Sequence, residues 1–302
     1  MTVGSPGTTA PAGPTAEVVA TLADHRARLD AARAAGRTVG VVLTMGALHE
    51  GHASLVRRAA AECDVVAVSV FVNPTQFTEV ADLVAYPRTL EADVALAAAA
   101  GADLVLAPSV EEVYPGWPAA ARTSVSVPSL SSRWEGESRP GHFDGMATVV
   151  TKLLSASGPC RTYFGEKDFQ QLAIVRRVVA DLSLPVEVVG CATSREDDGL
   201  ARSSRNTRLS AEERRAAGCL AAALRAGVGA VAAGEAPADV DTAMAAVVAA
   251  EPLAALEYAV LVDAATLEPA GHPDDGGARR LLVAACVGPV RLIDNCDARE
   301  PW

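Results

Sequence analysis

The stretch that decides the fold reads T-V-G-V-V-L-T-M-G-A-L-H-E-G-H, from Thr38 to His52. Its first half, Thr38 to Thr44, is short, apolar and rich in β-branched residues, which predicts a buried strand. The residues from His52 to Ala61 have the spacing of a helix. The segment Met45 to Gly51 therefore lies between a strand and a helix, which is typical of sheets built from parallel strands.

The same alternation continues along the first two thirds of the chain. A helix is predicted from Ala16 to Ala35. Further strands are predicted at Val65 to Val72, Asp103 to Ala107, Arg161 to Phe164 and Val186 to Ala192. Helices are predicted at Leu90 to Ala100, Gly145 to Ser155 and Phe169 to Leu182. At least five strands separated by helices favour an α/β fold with a parallel sheet, and such sheets bind ligands beyond the carboxyl ends of their strands.

The pattern changes near Ser194, where we predict a domain boundary. A polar segment leads into Ser210-Ala211-Glu212-Glu213, a capping-box sequence at the start of a long alanine-rich helix. A second helix is predicted after Pro237. Three apolar runs then predict a small sheet, at Leu256 to Asp263, Arg280 to Val287 and Val290 to Ile293. We expect a disordered tail over 1–16, an α/β domain over 17–194 and a smaller domain over 195–302.

The composition excludes some classes of partner. The 302 residues carry 26 basic and 37 acidic side chains, a formal net charge of −11 with a pI near 5.0. Nucleic acids and membrane surfaces are polyanions, so we expect neither as a partner. The six cysteines form no C-x-x-C pair, which indicates reduced thiols in a cytoplasmic protein. No apolar run is long and clean enough to predict a membrane span.

Two histidines, His49 and His52, lie three positions apart where the helix is predicted to begin, so they share one face of its first turn. Gly46 and Gly51 leave room for phosphates to approach the backbone, and a helix N-terminus favours anions. Imidazoles that donate to phosphate oxygens stabilise the charge that builds up in nucleotidyl transfer. Two alternatives stay open here: a metal site, weakened by the lack of a third ligand nearby, and a plain turn with incidental histidines.

Amide side chains follow the next predicted strand, in Asn73-Pro74-Thr75-Gln76. Amides in an apolar setting suit the hydroxyl and carboxylate groups of a small substrate. A polar turn that begins at Asn-Pro explains this segment equally well.

Lysine is rare in this chain, which draws attention to Gly165-Glu166-Lys167-Asp168. Only Lys152 and Lys167 occur, against 24 arginines. A compact ammonium can serve a phosphate site where a planar guanidinium cannot. Asp168 is a candidate to help hold Mg²⁺, and Gln171 lies one turn further along the predicted helix. A solvated helix start, where acidic residues are favoured, is the alternative.

Two loops complete the set of candidate segments. The polar segment Arg202-Ser203-Ser204-Arg205 offers hydroxyls and a guanidinium that can close over a triphosphate. Arg139-Pro140-Gly141-His142-Phe143 is either a turn or a substrate loop.

Six segments, in order, resemble the pantoate–β-alanine ligase family, whose members are also called pantothenate synthetases. They are T-M-G-A-L-H-E-G-H (Thr44–His52), F-V-N-P-T-Q-F (Phe71–Phe77), Y-P-R-T (Tyr86–Thr89), G-H-F-D-G (Gly141–Gly145), F-G-E-K-D-F-Q-Q-L (Phe164–Leu172) and S-S-R-N (Ser203–Asn206). The resemblance runs from about Thr38 to Leu209 almost without gaps. It implies a Rossmann-like domain with a HIGH-type nucleotide site, a smaller C-terminal domain and a homodimer.

The resemblance also implies a two-step reaction. ATP and pantoate give pantoyl adenylate and pyrophosphate with Mg²⁺, and the amine of β-alanine then displaces AMP to form an amide. Residues implied to bind ATP are Met45, Gly46, Ala47, Leu48, His49, Glu50, Gly51, His52, Gly165, Glu166, Lys167, Asp168, Ser194, Arg202, Ser203, Ser204 and Arg205. Catalytic roles fall on His49, on His52 as proton donor, and on Lys167, Ser203, Ser204 and Arg205. Substrate contacts are predicted for Gln76, Gln171, Asn73 and His142, and a metal contact for Asp93.

Two positions depart from the family pattern. Leu43 stands where the family usually has proline, and Arg202 where it mostly has methionine or another apolar residue. The arginine removes an apolar contact to the nucleotide and adds a cation near the phosphates. Two rival functions follow: another HIGH-type nucleotidyltransferase with a different acceptor, and a nucleotide-binding regulator that has lost its chemistry.

Overall fold

A computed structural model describes residues 15–119, 123–271 and 277–300. Its strands are β1 Glu17–Val19, β2 Val39–Thr44, β3 Val65–Val70, β4 Leu104–Leu106, β5 Cys160–Gly165, β6 Val186–Cys191, β7 Ala254–Asp263, β8 Arg279–Val287 and β9 Val290–Asp297. Its longer helices are α1 Leu22–Ala34, α2 Glu50–Glu62, α4 Leu90–Ala99, α8 His142–Ser157, α9 Phe169–Asp181, α10 Ala211–Ala232 and α11 Pro237–Ala249. Four short helices are α3 Val80–Ala85, α5 Val110–Val113, α6 Pro128–Ser131 and α7 Glu135–Ser138. Single 3-10 turns cover Pro74–Gln76, Glu166–Asp168 and Ser204–Arg208.

The first six strands form one parallel sheet in the order β1-β4-β3-β2-β5-β6. Helices cover both faces. On one face, Ala53, Val56 and Ala59 of α2 are buried with residues of β2 and β3. On the other, α1, α8 and α9 enclose a larger core that contains Leu29 and Leu172. The predicted Rossmann-like α/β fold is confirmed, and β2, β3 and β5 end at the same edge of the sheet.

The predicted helix from Ala16 to Ala35 is wrong in its first part. Residues Glu17 to Val19 form β1, a strand that pairs with β4. The helix begins only at Leu22, after Thr21, whose hydroxyl accepts the N–H of Asp24. A free sheet edge supplied hydrogen bonds that the local pattern does not reveal. Of the predicted tail, residues 1–14 lie outside the described residues, so that part stays a prediction.

The remaining strands, β7, β8 and β9, form an antiparallel sheet that packs against α10 and α11. The predicted capping box is present: Ser210 Oγ accepts the N–H of Glu213, whose carboxylate accepts the N–H of Ser210. The expected smaller α+β unit is confirmed. The limits of the two domains stay a prediction.

Within the described residues, α10 is long and apolar enough to cross a membrane by length and composition. The expectation that no such run exists is wrong on those two criteria. However, 44% of the apolar window is buried inside the protein, where Leu220 and Leu224 join the core with Met244 of α11. A core helix of a globular unit passes the same test, so this helix is weak grounds for a membrane span.

Candidate functional site

The loop after β2 turns at Gly46 and Ala47, whose φ angles of 82° and 51° are left-handed. An alanine in this conformation costs about 1–3 kcal/mol, which surrounding contacts must offset. Asp93 makes such contacts: its carboxylate accepts the N–H of Ala47 at 3.1 Å and of Leu48 at 2.7 Å. Asp93 is only 2% exposed. Both of its oxygens therefore hold the loop, which differs from the metal contact predicted for this residue.

The two glycines of the loop make room for protein side chains. A Cβ at Gly46 would lie 3.1 Å from Asp93 Oδ2, and one at Gly51 would lie 2.9 Å from His49 Cε1. The predicted reason for these glycines was close approach of a ligand's phosphates. The structure adds a different reason, since the loop closes onto Asp93 and His49 only when both positions lack a side chain.

His49 and His52 cap α2 reciprocally. His49 precedes the helix, and its Nδ1 accepts the N–H of Gly51 at 3.1 Å. His52 Nδ1 accepts the N–H of His49 at 3.3 Å. A neutral imidazole whose Nδ1 accepts a hydrogen bond carries its proton on Nε2. Both rings, with centroids 4.2 Å apart, thus offer an Nε2–H donor to a ligand.

Both imidazoles are neutral at pH 7. Burial, followed by the charge of His49, lowers the pKa of His52 to about 4. Burial, followed by the charges of Lys167 and Arg202, also lowers the pKa of His49. The pair therefore offers hydrogen-bond donors to a ligand without a formal charge of its own.

A network of buried amides lies beyond β3. Asn73 is 1% exposed, and its Oδ1 accepts hydrogen bonds from Tyr114 Oη at 2.8 Å and Thr75 Oγ1 at 2.9 Å. Its Nδ2 donates to Gln76 Oε1 at 2.9 Å and to Gly145 O at 3.1 Å. The amide of Asn73 is fully used, so this residue orients Gln76. The predicted direct contact between Asn73 and substrate stays a prediction.

His142 supports the same glutamine from the other side. Its Nδ1 donates to the backbone oxygen of Gln76 at 2.8 Å, and its Nε2 accepts from Arg139 at 3.4 Å. Burial, followed by the charge of Arg139, lowers the pKa of His142 to about 4. Both ring nitrogens are engaged with protein groups, and the predicted direct contact of His142 with substrate stays a prediction. The Nε2 group of Gln76, by contrast, has no partner among the described residues.

The two glutamines of α9 also differ in whether their amides are bonded to protein groups. Gln170 is buried and donates to the carbonyls of Leu130 and Arg133, at 2.7 and 2.8 Å. Gln171 makes no hydrogen bond to the described residues and faces the cavities that contain Lys167. The amide of Gln171 is therefore open to a ligand.

Lys167 occupies the 3-10 turn between β5 and α9. Its ammonium lies 3.5 Å from Asp168 Oδ1, and its side chain is 18% exposed. The side chain of Asp168 is 54% exposed, because it faces the open cavity. Burial alone would raise the pKa of Asp168, yet the charges of Lys167 and Arg205 outweigh it and hold that pKa below its usual value. The turn thus presents an ammonium and an ionised carboxylate side by side.

The turn is fixed from the C-terminal sheet. Asn295 of β9 is 4% exposed, and its Nδ2 donates to the carbonyls of Glu166 and Lys167, at 3.0 and 2.7 Å. Arg280 of β8 donates to Asn295 Oδ1 at 2.8 Å and to Glu166 Oε2 at 2.9 Å, and its guanidinium lies 4.3 Å from the ring centroid of Phe169. Sequence reasoning missed both residues, since neither lies in a recognisable motif.

Strand β9 also holds the polar loop over 194–206. Asp294 pairs with Arg195 at 2.7 Å, and both side chains are buried. Arg202 donates its backbone N–H to Ser194 O at 2.9 Å and its Nε to Arg195 O at 3.1 Å. Ser203 Oγ accepts the N–H of Arg205 at 3.2 Å. The loop over 194–206 is therefore an ordered hairpin whose hydroxyls face the histidines.

Twelve of the predicted residues line one cavity of about 200 Å³ beyond the ends of β2, β5 and β6. They are His49, Gly51, His52, Gly165, Lys167, Asp168, Gln171, Ser194, Arg202, Ser203, Ser204 and Arg205. We call this the nucleotide cavity. A second space of about 430 Å³, which we call the interdomain cavity, shares Lys167, Asp168, Ser203 and Arg205 with it and adds Arg139 and β9 residues.

Several predicted ATP residues do not reach the nucleotide cavity. Met45 and Gly46 line a neighbouring apolar cavity at the ends of β3 and β4. Ala47 and Leu48 bond to Asp93 through their backbone. The side chains of Glu50 and Glu166 form ion pairs with Arg57 and Arg280. Both carboxylates are therefore paired within the protein, and their predicted contact with ATP stays a prediction.

Comparisons with known proteins agree with this arrangement. The sequence model of the pantoate-β-alanine ligase family matches residues 17–297. A pantothenate synthetase of Cereibacter sphaeroides is 54% identical over 279 residues, which cover 92% of this chain and 98% of that protein.

Two solved structures are also similar. The pantothenate synthetase of Thermus thermophilus is 46% identical with a TM-score of 0.85, over 94% of this chain and all of that one. The pantoate-β-alanine ligase of Francisella tularensis, complexed with β-γ ATP and β-alanine, is 30% identical with a TM-score of 0.73, over 95% of this chain and all of that one. The resemblance seen in the six motifs is confirmed, and the chain belongs to the pantoate–β-alanine ligase family.

Proposed function

We propose that this chain is an ATP-dependent ligase that condenses pantoate with β-alanine, through an enzyme-bound pantoyl adenylate. The observation that carries the proposal is the meeting of two Nε2–H donors, from His49 and His52, with Lys167 in one cavity. Nucleotidyl transfer needs donors that are already oriented where negative charge develops. The acidic protein supplies its positive charge locally, at Lys167, Arg202 and Arg205.

In the first step, a carboxylate oxygen of pantoate attacks the α-phosphorus of ATP, and the bond to the β-phosphate oxygen breaks. Pyrophosphate leaves with the electron pair. His49, His52 and Lys167 stabilise the charge on the phosphate oxygens, and the N-terminus of α2 adds its dipole. A neutral imidazole is a poor acid, so His52 acts here as a hydrogen-bond donor rather than by releasing its proton.

Gln76 and Gln171 bind pantoate. Each presents an amide donor that the described protein groups leave without a partner, and each is backed by a fixed framework. Asn73 and His142 hold Gln76, while α9 carries Gln171. Fixed donors of this kind orient the carboxylate for attack without a further entropy cost.

Asp168 is the candidate side chain for a Mg²⁺ ion that would accompany the nucleotide. The described residues contain no group of three or more His, Cys, Asp or Glu side chains placed to hold a metal. Mg²⁺ usually needs only one or two carboxylates beside substrate phosphates, and Asp168 is the acidic side chain among the residues that line the nucleotide cavity. Asp168 would hold Mg²⁺ beside the substrate phosphates, and the metal would neutralise phosphate charge there.

In the second step, the neutral amine of β-alanine attacks the acyl carbon of the adenylate. The C–O bond to AMP breaks, AMP leaves with the electron pair, and the amine loses a proton to solvent. The interdomain cavity adjoins Lys167, Asp168 and Arg205 and so gives the amine a route to the adenylate. We propose further that the enzyme is a cytoplasmic homodimer that binds neither nucleic acid nor membranes. The mass measured by light scattering at micromolar concentration tests the dimer.

Arg202 does not change this proposal. Its Nε bonds to a backbone oxygen of its own hairpin, so the guanidinium is tied to the loop. Arg202 also lies close enough to His49 to lower the pKa of that imidazole. We place it among the groups that face the phosphates.

The test is isotope exchange between pyrophosphate and ATP. Exchange that requires pantoate and no amine supports the adenylate and this order of steps. Exchange that proceeds at the same rate with and without pantoate favours another HIGH-type nucleotidyltransferase. ATP binding without any exchange favours a nucleotide-binding regulator.

A further inference from the structure

Arg139 is a half-buried arginine without a carboxylate partner. It follows α7, and the one hydrogen bond that its guanidinium makes to the described residues runs from Nη1 to His142 Nε2 at 3.4 Å. Burial, followed by the charge of Arg205, lowers its pKa. A guanidinium removed from water normally has a compensating anion, and this one has none within the described protein.

The neighbouring acids are already occupied. Glu135 accepts two bonds from Arg291, at 2.7 and 2.6 Å, and one from Tyr258 Oη at 2.8 Å. Asp168 is beside Lys167. On the wall of the interdomain cavity, the guanidinium of Arg139 is therefore left without an ion-pair partner among the described residues.

The position of Arg139 separates it from the phosphate site. It lines the interdomain cavity and the smaller space beside Gln171, and it is absent from the lining of the nucleotide cavity. Through His142 it is joined to Gln76, since one ring nitrogen contacts Arg139 and the other the backbone of Gln76. The guanidinium is thus held next to the amides to which we assign the acyl substrate.

We propose that Arg139 is the binding site for the carboxylate of the amine substrate. A guanidinium binds a carboxylate through two parallel hydrogen bonds. When the carboxylate of β-alanine is held in this way, two methylene groups separate its amine from Arg139. The amine then points towards the acyl carbon of the substrate that Gln76 and Gln171 bind. Arg139 thereby selects a short amino acid over a simple amine. This inference rests on the proposed function.

The experiment measures the two steps separately, in wild type, Arg139→Gln and Arg133→Gln. Arg133 is an exposed arginine of the same segment, paired with Glu268, and serves as the matched control. Two acceptors are compared: β-alanine, and n-propylamine, which has the same chain length without the carboxylate. Pyrophosphate–ATP exchange with pantoate reports the first step.

For Arg139→Gln, we expect KM for β-alanine to rise about 100-fold, the size of effect seen when one member of a buried charge pair is removed. The rate with n-propylamine and the pantoate-dependent exchange stay within about threefold of wild type. The control variant retains the wild-type KM for β-alanine. Wild type itself prefers β-alanine over n-propylamine by about 100-fold in kcat/KM, a comparison that needs no variant.

An unchanged KM for β-alanine in Arg139→Gln overturns the inference, as does an equal loss with both amines or a parallel loss of exchange. Equal use of the two amines by wild type also overturns it. If wild type shows no pantoate-dependent exchange, the proposed function fails instead, so the two failures are distinguishable.

Discussion

The loop from Thr44 to His52 and the turn from Glu166 to Asp168 face the same cavity but are held in different ways. The loop is fixed mainly by its own residues: Thr44 Oγ1 accepts the N–H of Gly46, and the two histidines cap α2. The turn is fixed by Asn295 and Arg280, more than 110 residues away in the chain. One wall of the site is therefore a local structure, whereas the other forms only when the C-terminal sheet is in place.

The largest effect should come from removing the cation on the second wall. Lys167→Ala should lower kcat of pyrophosphate release by roughly 10²–10³, because a fixed donor to the transition state is lost. Lys152→Ala is the matched control, since the only other lysine lies 5.7 Å from the ring centroid of Tyr114, outside the nucleotide cavity. Near-normal turnover of Lys167→Ala, with its fold intact by circular dichroism, would contradict the role.

Removing Asn295, which joins the C-terminal sheet to the turn from Glu166 to Asp168, should have the next largest effect on activity. Asn295→Ala leaves the part-buried carbonyls of Glu166 and Lys167 without their donor and should lower kcat about tenfold and the free energy of unfolding by about 1–3 kcal/mol. Asp241→Ala is a control for stability, because Asp241 accepts the N–H of Leu261 within the C-terminal unit. If both variants lose equal stability and equal kcat, Asn295 has no specific influence on Lys167.

The loop from Thr44 to His52 is also held by Asp93, a residue distant in sequence, and a variant of Asp93 measures the contribution of these bonds. Asp93→Ala should raise KM for ATP about tenfold, since the strained backbone at Ala47 loses the bonds that hold it. The Mg²⁺ concentration for half-maximal rate at saturating ATP should not change. A marked rise in that concentration would show instead that Asp93 is a metal ligand.

The smallest effect on activity is expected from replacing His25, a buried residue of α1 that does not line the nucleotide cavity or the interdomain cavity. His25 is 2% exposed, its Nε2 lies 2.9 Å from Ser157 Oγ, and its Nδ1 has no partner among the described residues. Burial lowers its pKa to about 4, from 6.5 in the unfolded chain.

The folded state therefore binds fewer protons than the unfolded state between pH 6.5 and pH 4, and stability falls as the pH is lowered through that window. Replacing His25 by Gln should reduce this slope by up to about 1.4 kcal/mol per pH unit. Urea unfolding at several pH values measures it. Parallel stability curves for wild type and variant would exclude a contribution from His25.

The sequence by itself determined the alternation of strands and helices, the C-terminal capping box and the residues of the nucleotide cavity. These features depend on periodicity, on local hydrogen bonds and on motifs whose spacing is fixed along the chain. The histidine pair is an example, because its capping geometry involves only residues from 49 to 52.

Only the tertiary structure decided which polar residues are hydrogen-bonded to neighbouring protein groups and which present polar groups to the cavities. Asn73, His142 and Asp93 look like ligand-binding residues in the sequence, yet each spends its hydrogen bonds on neighbouring protein groups. Arg280 and Asn295 lie in none of the sequence motifs, and β1 forms because β4 offers a free edge. The physical reason is the same throughout: a hydrogen bond or charge pair is defined by distance in space, and residues far apart in sequence meet only after the sheets have packed.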